Sequence, residues 1–133
     1  ARVVFADHER LRALEAISHP AINREVAARL DDISSASPDA VAVLDMAVLV
    51  ESDLGQLPDG GGYSTVVVVE TAADLRIERL AARGVSVDEA RNRMARQASD
   101  EERRAAADHV VVNNSDLTAL TAQVDNLWTS LTG

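Results

Sequence analysis

Arginine is the residue type with the clearest chemical use in this sequence. Arg76, Arg79 and Arg83 follow one another at spacings of three and four, so on a helix they share one stripe. Arg91, Arg93 and Arg96 follow on a second predicted helix, with Gln97 after them. Guanidinium groups grip phosphate oxygens bidentately and offset charge on a transferring phosphoryl group. The set suits a phosphate clamp. It also suits a solvated helix face, and the pattern alone leaves both readings open.

The other candidates are more scattered. Asp45 sits near the C-terminal end of an apolar run, where ligands bind in open α/β sheets. An acid there can hold Mg²⁺ through water, or simply cap a loop. Glu51 lies shortly after it. His19 precedes Pro20 and reads either as a site residue or as a partly buried structural histidine. Asn113 and Asn114 follow a predicted strand, within reach of a base or as a turn that tolerates left-handed backbone. Gly60, Gly61 and Gly62 stand before a strand and lack a following Lys-Ser/Thr, so they read as a flexible loop and not as a phosphate loop.

These residues need elements to position them. Asp7 is placed to cap a first helix through Leu11, Leu14 and Ile17, which Ser18-His19-Pro20 should interrupt. A second helix is expected from about Ala21 to Leu30. Val41 to Leu49 and Thr65 to Val69 read as strands buried on both faces, as in a parallel sheet. Thr71 should cap the Arg76 helix and Gly84 should end it. Ser86 with Glu89, and Ser99 with Glu102, are capping-box pairs that open two more helices, the second reaching Asp108. His109 to Val112 is a short strand, and Asp116 starts an amphipathic helix through Leu120, Val124, Leu127 and Leu131. Strands alternating with helices indicate an α/β fold with a parallel sheet and flanking helices.

Composition narrows the classes. A net charge of −9 argues against nucleic acid as a partner. There is no cysteine, which excludes disulfides and thiolate metal sites. No apolar run is long enough for a membrane span and no signal peptide is visible, so a cytoplasmic protein without a membrane partner is expected. Oligomeric state is not legible. All thirteen basic residues are arginine.

In order along the chain, several pieces resemble the dephospho-CoA kinase family. They are Ala16 to Ile22, Leu44 to Glu51, Val67 to Glu70 with Leu75, Arg76 and Arg79, then Arg93 to Ser99, Glu101 to Arg103, and Ala107 to Asn114. The resemblance implies a P-loop NTPase-like, three-layer α/β/α fold similar to nucleoside monophosphate kinases. It implies transfer of a phosphoryl group from ATP, with Mg²⁺, to the 3′-hydroxyl of dephospho-CoA, the last step of coenzyme A synthesis. Small molecules, dephospho-CoA and ATP, would be the partners. By the resemblance, Arg79 is the catalytic lid arginine. Arg83, Arg93 and Arg96 are its lid neighbours on the nucleotide side, and Asn113 and Asn114 lie beside adenine. His19, Pro20, Asp45 and Glu51 fall on the substrate side. Residues 1–35 would be the CoA-side helices, 36–70 the core strands, 71–107 the lid and 108–133 the last strand and helix.

The chain departs from the family pattern in places. Ala47 and Val48 stand where the family has Pro and Leu, and Ser115 where it prefers Gly. The family's G-x-x-x-x-G-K-S/T loop is not found, and a chain without lysine cannot supply it. The expectation is a C-terminal portion of a longer kinase, lacking the P-loop strand and inactive by itself. The alternatives are a non-catalytic binding domain derived from such a kinase, or a related kinase with another nucleotide-like acceptor.

Overall fold

The protein is described here by a computed structural model covering residues 8–52 and 62–133. The Asp7 cap and most of the glycine-rich loop lie outside those residues. The chain divides into two compact units, Ala1–Tyr63 and Ser64–Gly133.

In the first unit a single helix, α1, runs from His8 to Ala36 with Pro20 inside it. The expected interruption at Ser18-His19-Pro20 is absent. Proline removes one ladder donor and crowds one carbonyl, which are local costs. Strong helix formers on both sides, Leu14, Glu15 and Ala16 before and Arg24, Glu25, Ala27 and Ala28 after, carry the helix through. The segment 41–46, expected as a buried strand, is irregular, and residues 47–51 turn. Val43 is 82% exposed. β-branched composition favours extended backbone, but a strand also needs a neighbour to take its N–H and C=O groups. Among the described residues this segment has none.

The second unit is organised by pairing. Strand β1 (Val67–Glu70) lies parallel to β2 (His109–Val112), with Val67 opposite His109 and Glu70 opposite Val112. Val66, Val68 and Val111 are buried while Val67, Val69 and Val110 are not, so one face is covered and not both as expected. Helix α2 (Ala73–Ala82) ends as its sequence requires. Gly84 has φ +81°, its N–H reaches the Ala81 carbonyl and the Val85 N–H reaches that of Leu80, a Schellman closure. Helix α3 (Val87–Met94) is capped by Ser86, which accepts from the Glu89 N–H. Only that half of the expected box is made, because the Glu89 carboxylate turns to Arg93. Helix α4 (Asp100–Ala105) has the complete box between Ser99 and Glu102, but stops short of Asp108. Asp108 is used otherwise: its carboxylate accepts from the Val66 N–H at 2.8 Å and holds the start of β1. Helix α5 (Leu117–Thr132) opens at Asp116 as expected and packs on β2.

The molecule is therefore α/β, with a small parallel sheet and flanking helices. Among the described residues no helix is long and apolar enough to cross a membrane.

Candidate functional site

The site is built where β1 and β2 end. The chain leaves β1 through Glu70 and Thr71 and enters α2 at Ala72. Thr71 is not the cap. Its hydroxyl donates to the Asn113 carbonyl, and the Ala72 N–H is satisfied from across the sheet by Asn114 Oδ1 at 2.7 Å. The Asn113 N–H donates to the Glu70 carbonyl at 2.7 Å. The paired asparagines thus stitch the two strand ends together. Among the described residues the side chain of Asn113 has no bonded partner, whereas that of Asn114 is used by Ala72.

Two ion pairs fix α4 against this corner. Arg104 Nε and Nη2 donate to the two Glu70 carboxylate oxygens at 2.6 and 2.7 Å, the bidentate geometry in which such pairs are strongest. That hydrogen bond holds the Glu70 carboxyl below the ordinary carboxylate range and raises Arg104 in turn. On the other side, Asp100 accepts from Arg103 at 2.6 Å and, on both oxygens, from Arg76 Nη2 at 3.1 Å. Its carboxyl is held low first by the Arg103 hydrogen bond and then by the charge of Arg76. The Nε of Arg76 is buried without a partner, which leaves Asp100 as its main anchor.

These bonds sort the arginines. Arg76, Arg93, Arg103 and Arg104 each face a carboxylate. Arg79 on α2, Arg83 at its C-cap, Arg91 on α3 and Arg96 in the turn after it have no carboxylate partner among the described residues. Arg96 and Gln97 were expected inside the second helix but lie beyond its end at Met94. A guanidinium already paired must break that pair to take a phosphate, while an unpaired one need only shed water. Helices α2 and α3 pack on each other, so Arg79, Arg83, Arg93 and Arg96 belong to one helical hairpin.

The residues of the first unit are placed separately. His19 and Pro20 lie in the middle of α1, His19 half-buried. Asp45 is exposed in the irregular segment and Glu51 lies in the turn after it. Among the described residues no three acids or histidines gather in a way that could hold a metal ion. Asp45 has no such co-ligands among the described residues. The groove between β2 and α5, about 310 Å³ and lined by His109, Val110, Gln123, Asn126 and Leu127, holds no arginine and is a poor match for phosphate.

Comparison with known proteins decides the family. The profile described as "CoaE: Dephospho-CoA kinase" matches residues 1–119. The chain belongs to the dephospho-CoA kinase family. A relative named dephospho-CoA kinase from Frankia casuarinae is 44% identical over 130 residues, covering 98% of this chain and 53% of the relative. One of the same name from Leifsonia xyli is 40% identical, covering 98% of this chain and 64% of the relative. The crystal structure of TT1252 from Thermus thermophilus superposes with a TM-score of 0.77 at 32% identity, over all of this chain and 65% of that one. The chain thus spans between about half and two-thirds of the length of these relatives.

Sequence reasoning singled out the arginines but not which were spare. It missed Asp100 and Arg104, whose partners lie 24 and 34 residues away and leave no local signal. Asp108 stood as a helix end and within the family resemblance, and its bond across 42 residues was equally hidden.

Proposed function

We propose that this chain forms the lid and strand-end part of a dephospho-CoA kinase. The observation that carries the reading is the pair Arg79 in the last turn of α2 and Arg83 at its C-cap. Among the described residues both are without a carboxylate partner, on a helix that starts at the paired strand ends, in a chain of this family. The reaction takes the proton from the 3′-hydroxyl of dephospho-CoA and forms a bond from that oxygen to the γ-phosphorus of ATP. The bond between that phosphorus and the bridging oxygen breaks, and ADP leaves. Arg79 stabilises the charge on the transferring group, and Arg83 and Arg96 steer the phosphates. Arg93 joins them only by giving up Glu89. Asn113 is the asparagine that reaches the adenine, since Asn114 is committed to Ala72.

His19, Pro20, Asp45 and Glu51 belong to the substrate side of this reading. On this reading the lysine-bearing phosphate loop and the base come from the part of the relatives' length that this chain does not span. The reading places the protein in the cytoplasm.

The test is ADP release by the full-length protein with dephospho-CoA, compared with other nucleotide-like acceptors. Turnover should favour dephospho-CoA, and Arg79→Ala should lower it by about a thousandfold, the range of a transition-state arginine. Equal or better use of another acceptor would replace the substrate assignment. A loss below about tenfold would remove Arg79 from the chemistry.

A further inference from the structure

A helix joined to a sheet at one end can pivot about that joint. Helix α2 leaves β1 through a two-residue connection, and Asn114 pins its first N–H. One turn further on, Arg76 is held by Asp100 of α4. Helix α4 is itself fixed to β1 by Arg104 on Glu70. The path from Glu70 to Arg104, along α4 to Asp100, and across to Arg76 gives α2 a second fixed point.

Arg79 stands one turn beyond Arg76 on the same helix. We propose that Asp100 is a positioning residue for Arg79: by holding Arg76 and Arg103 together it sets the direction in which the unpaired guanidinium is presented. The proposal rests on the kinase reading above.

Three features of the cluster support a device for orientation. Arg76 and Arg103 are mostly covered, at 22% and 20% side-chain exposure, so they are not loosely solvated ends. One carboxylate serves both, so a single group links α2 to α4. The buried Nε of Arg76 has no acceptor and its Nη2 bonds only to Asp100, so loss of Asp100 strips the guanidinium of its partner and forces it to move. Misplacement of a catalytic group by about 1 Å costs on the order of a hundredfold in rate.

The experiment is a double-mutant cycle in the full-length protein, with Asp100→Asn and Arg79→Ala made singly and together. Single-turnover rates at high enzyme concentration keep the slow variants measurable. Asp100→Asn keeps the shape and removes the charge. It should lower kcat by ten- to a hundredfold with KM for dephospho-CoA unchanged, and have less than a twofold effect once Arg79 is alanine. Equal losses in both backgrounds would make Asp100 a purely structural residue, and no loss in either would make it idle. Both results overturn the proposal. If Asp100→Asn does not fold, Arg76→Gln breaks the same contact from the other side and is judged by the same criteria. A wild-type protein that does not turn over dephospho-CoA sinks the kinase reading and this proposal with it, whereas an Arg79→Ala variant with full activity removes Arg79 from the chemistry and sinks this proposal alone. A neutral Asp100→Asn beside a damaging Arg79→Ala sinks the proposal alone.

Discussion

The segment 41–46 and the strand β1 are written in nearly the same alphabet. One is Val-Ala-Val-Leu with an acid after it, the other Val-Val-Val with an acid after it. One remains irregular with Val43 82% exposed, while the other pairs in parallel with β2 and buries Val68 to 8%. What separates them is the partner. β1 is met by the carboxylate of Asp108 at its start, by the ladder along its length, and by Asn113, Asn114 and Arg104 at its end. Apolar β-branched residues make a strand possible, and a neighbour that takes up the backbone hydrogen bonds makes it real.

Placing a charge in each segment should break the comparison most sharply. Val68→Asp buries a carboxylate without a partner and should cost about 4 kcal/mol of unfolding free energy. Val43→Asp should stay within about 0.5 kcal/mol, as an exposed substitution does. Urea unfolding of the two variants checks this, and similar losses would mean that the 41–46 segment is also packed.

The next largest effect belongs to α1. Pro20→Ala restores a donor and relieves a crowded carbonyl, so amide exchange within α1 should slow by an amount approaching 3 kcal/mol of local stability. Unchanged exchange would show that the helix is broken at Pro20 after all.

A smaller change tests the stitching of the strand ends. Asn114→Ala removes the acceptor for the Ala72 N–H and should cost about 1 kcal/mol in thermal or urea unfolding, as loss of a helix cap does. No cost would mean that water replaces the asparagine.

The weakest effect is on pH. Glu70, Asp100 and Glu102 are all held below their ordinary values, the first two chiefly by arginine hydrogen bonds and the third by the Ser99 N–H. The unfolded chain binds protons on these groups at a higher pH than the folded chain does. Their contribution is complete above about pH 5 and is lost as pH falls through the folded values. Stability measured from pH 7 to pH 3 should decline only at the acid end, and less steeply in Arg104→Gln. A decline of equal slope in that variant would show that Glu70 is not held by Arg104.

Much of the local structure that carries the candidate residues was legible because its signals are local. The Arg76, Arg79 and Arg83 spacing, the Gly84 stop, the Ser99–Glu102 box and the Asp116 cap are each decided within a turn of backbone, and each lies where the sequence puts it. The ordered family resemblance rests on the same short pieces. Other features were not legible because their cause lies elsewhere in the chain. Whether an apolar run becomes a strand depends on a partner: β1 found one 42 residues away, and the segment 41–46 has none among the described residues. Whether Thr71 or Asn114 caps α2 depended on how close the two strand ends come.

The sequence by itself determined the Ser86, Ser99 and Asp116 caps, the Gly84 stop, the arginine spacing along α2 and the family. These follow from propensity, capping and spacing over a few residues. Only the tertiary structure decided which arginines are already paired with carboxylates and which stand free. A guanidinium is committed or available according to what the fold brings within about 3 Å of it, and that distance is set by helices and strands packed together, not by neighbours in the chain.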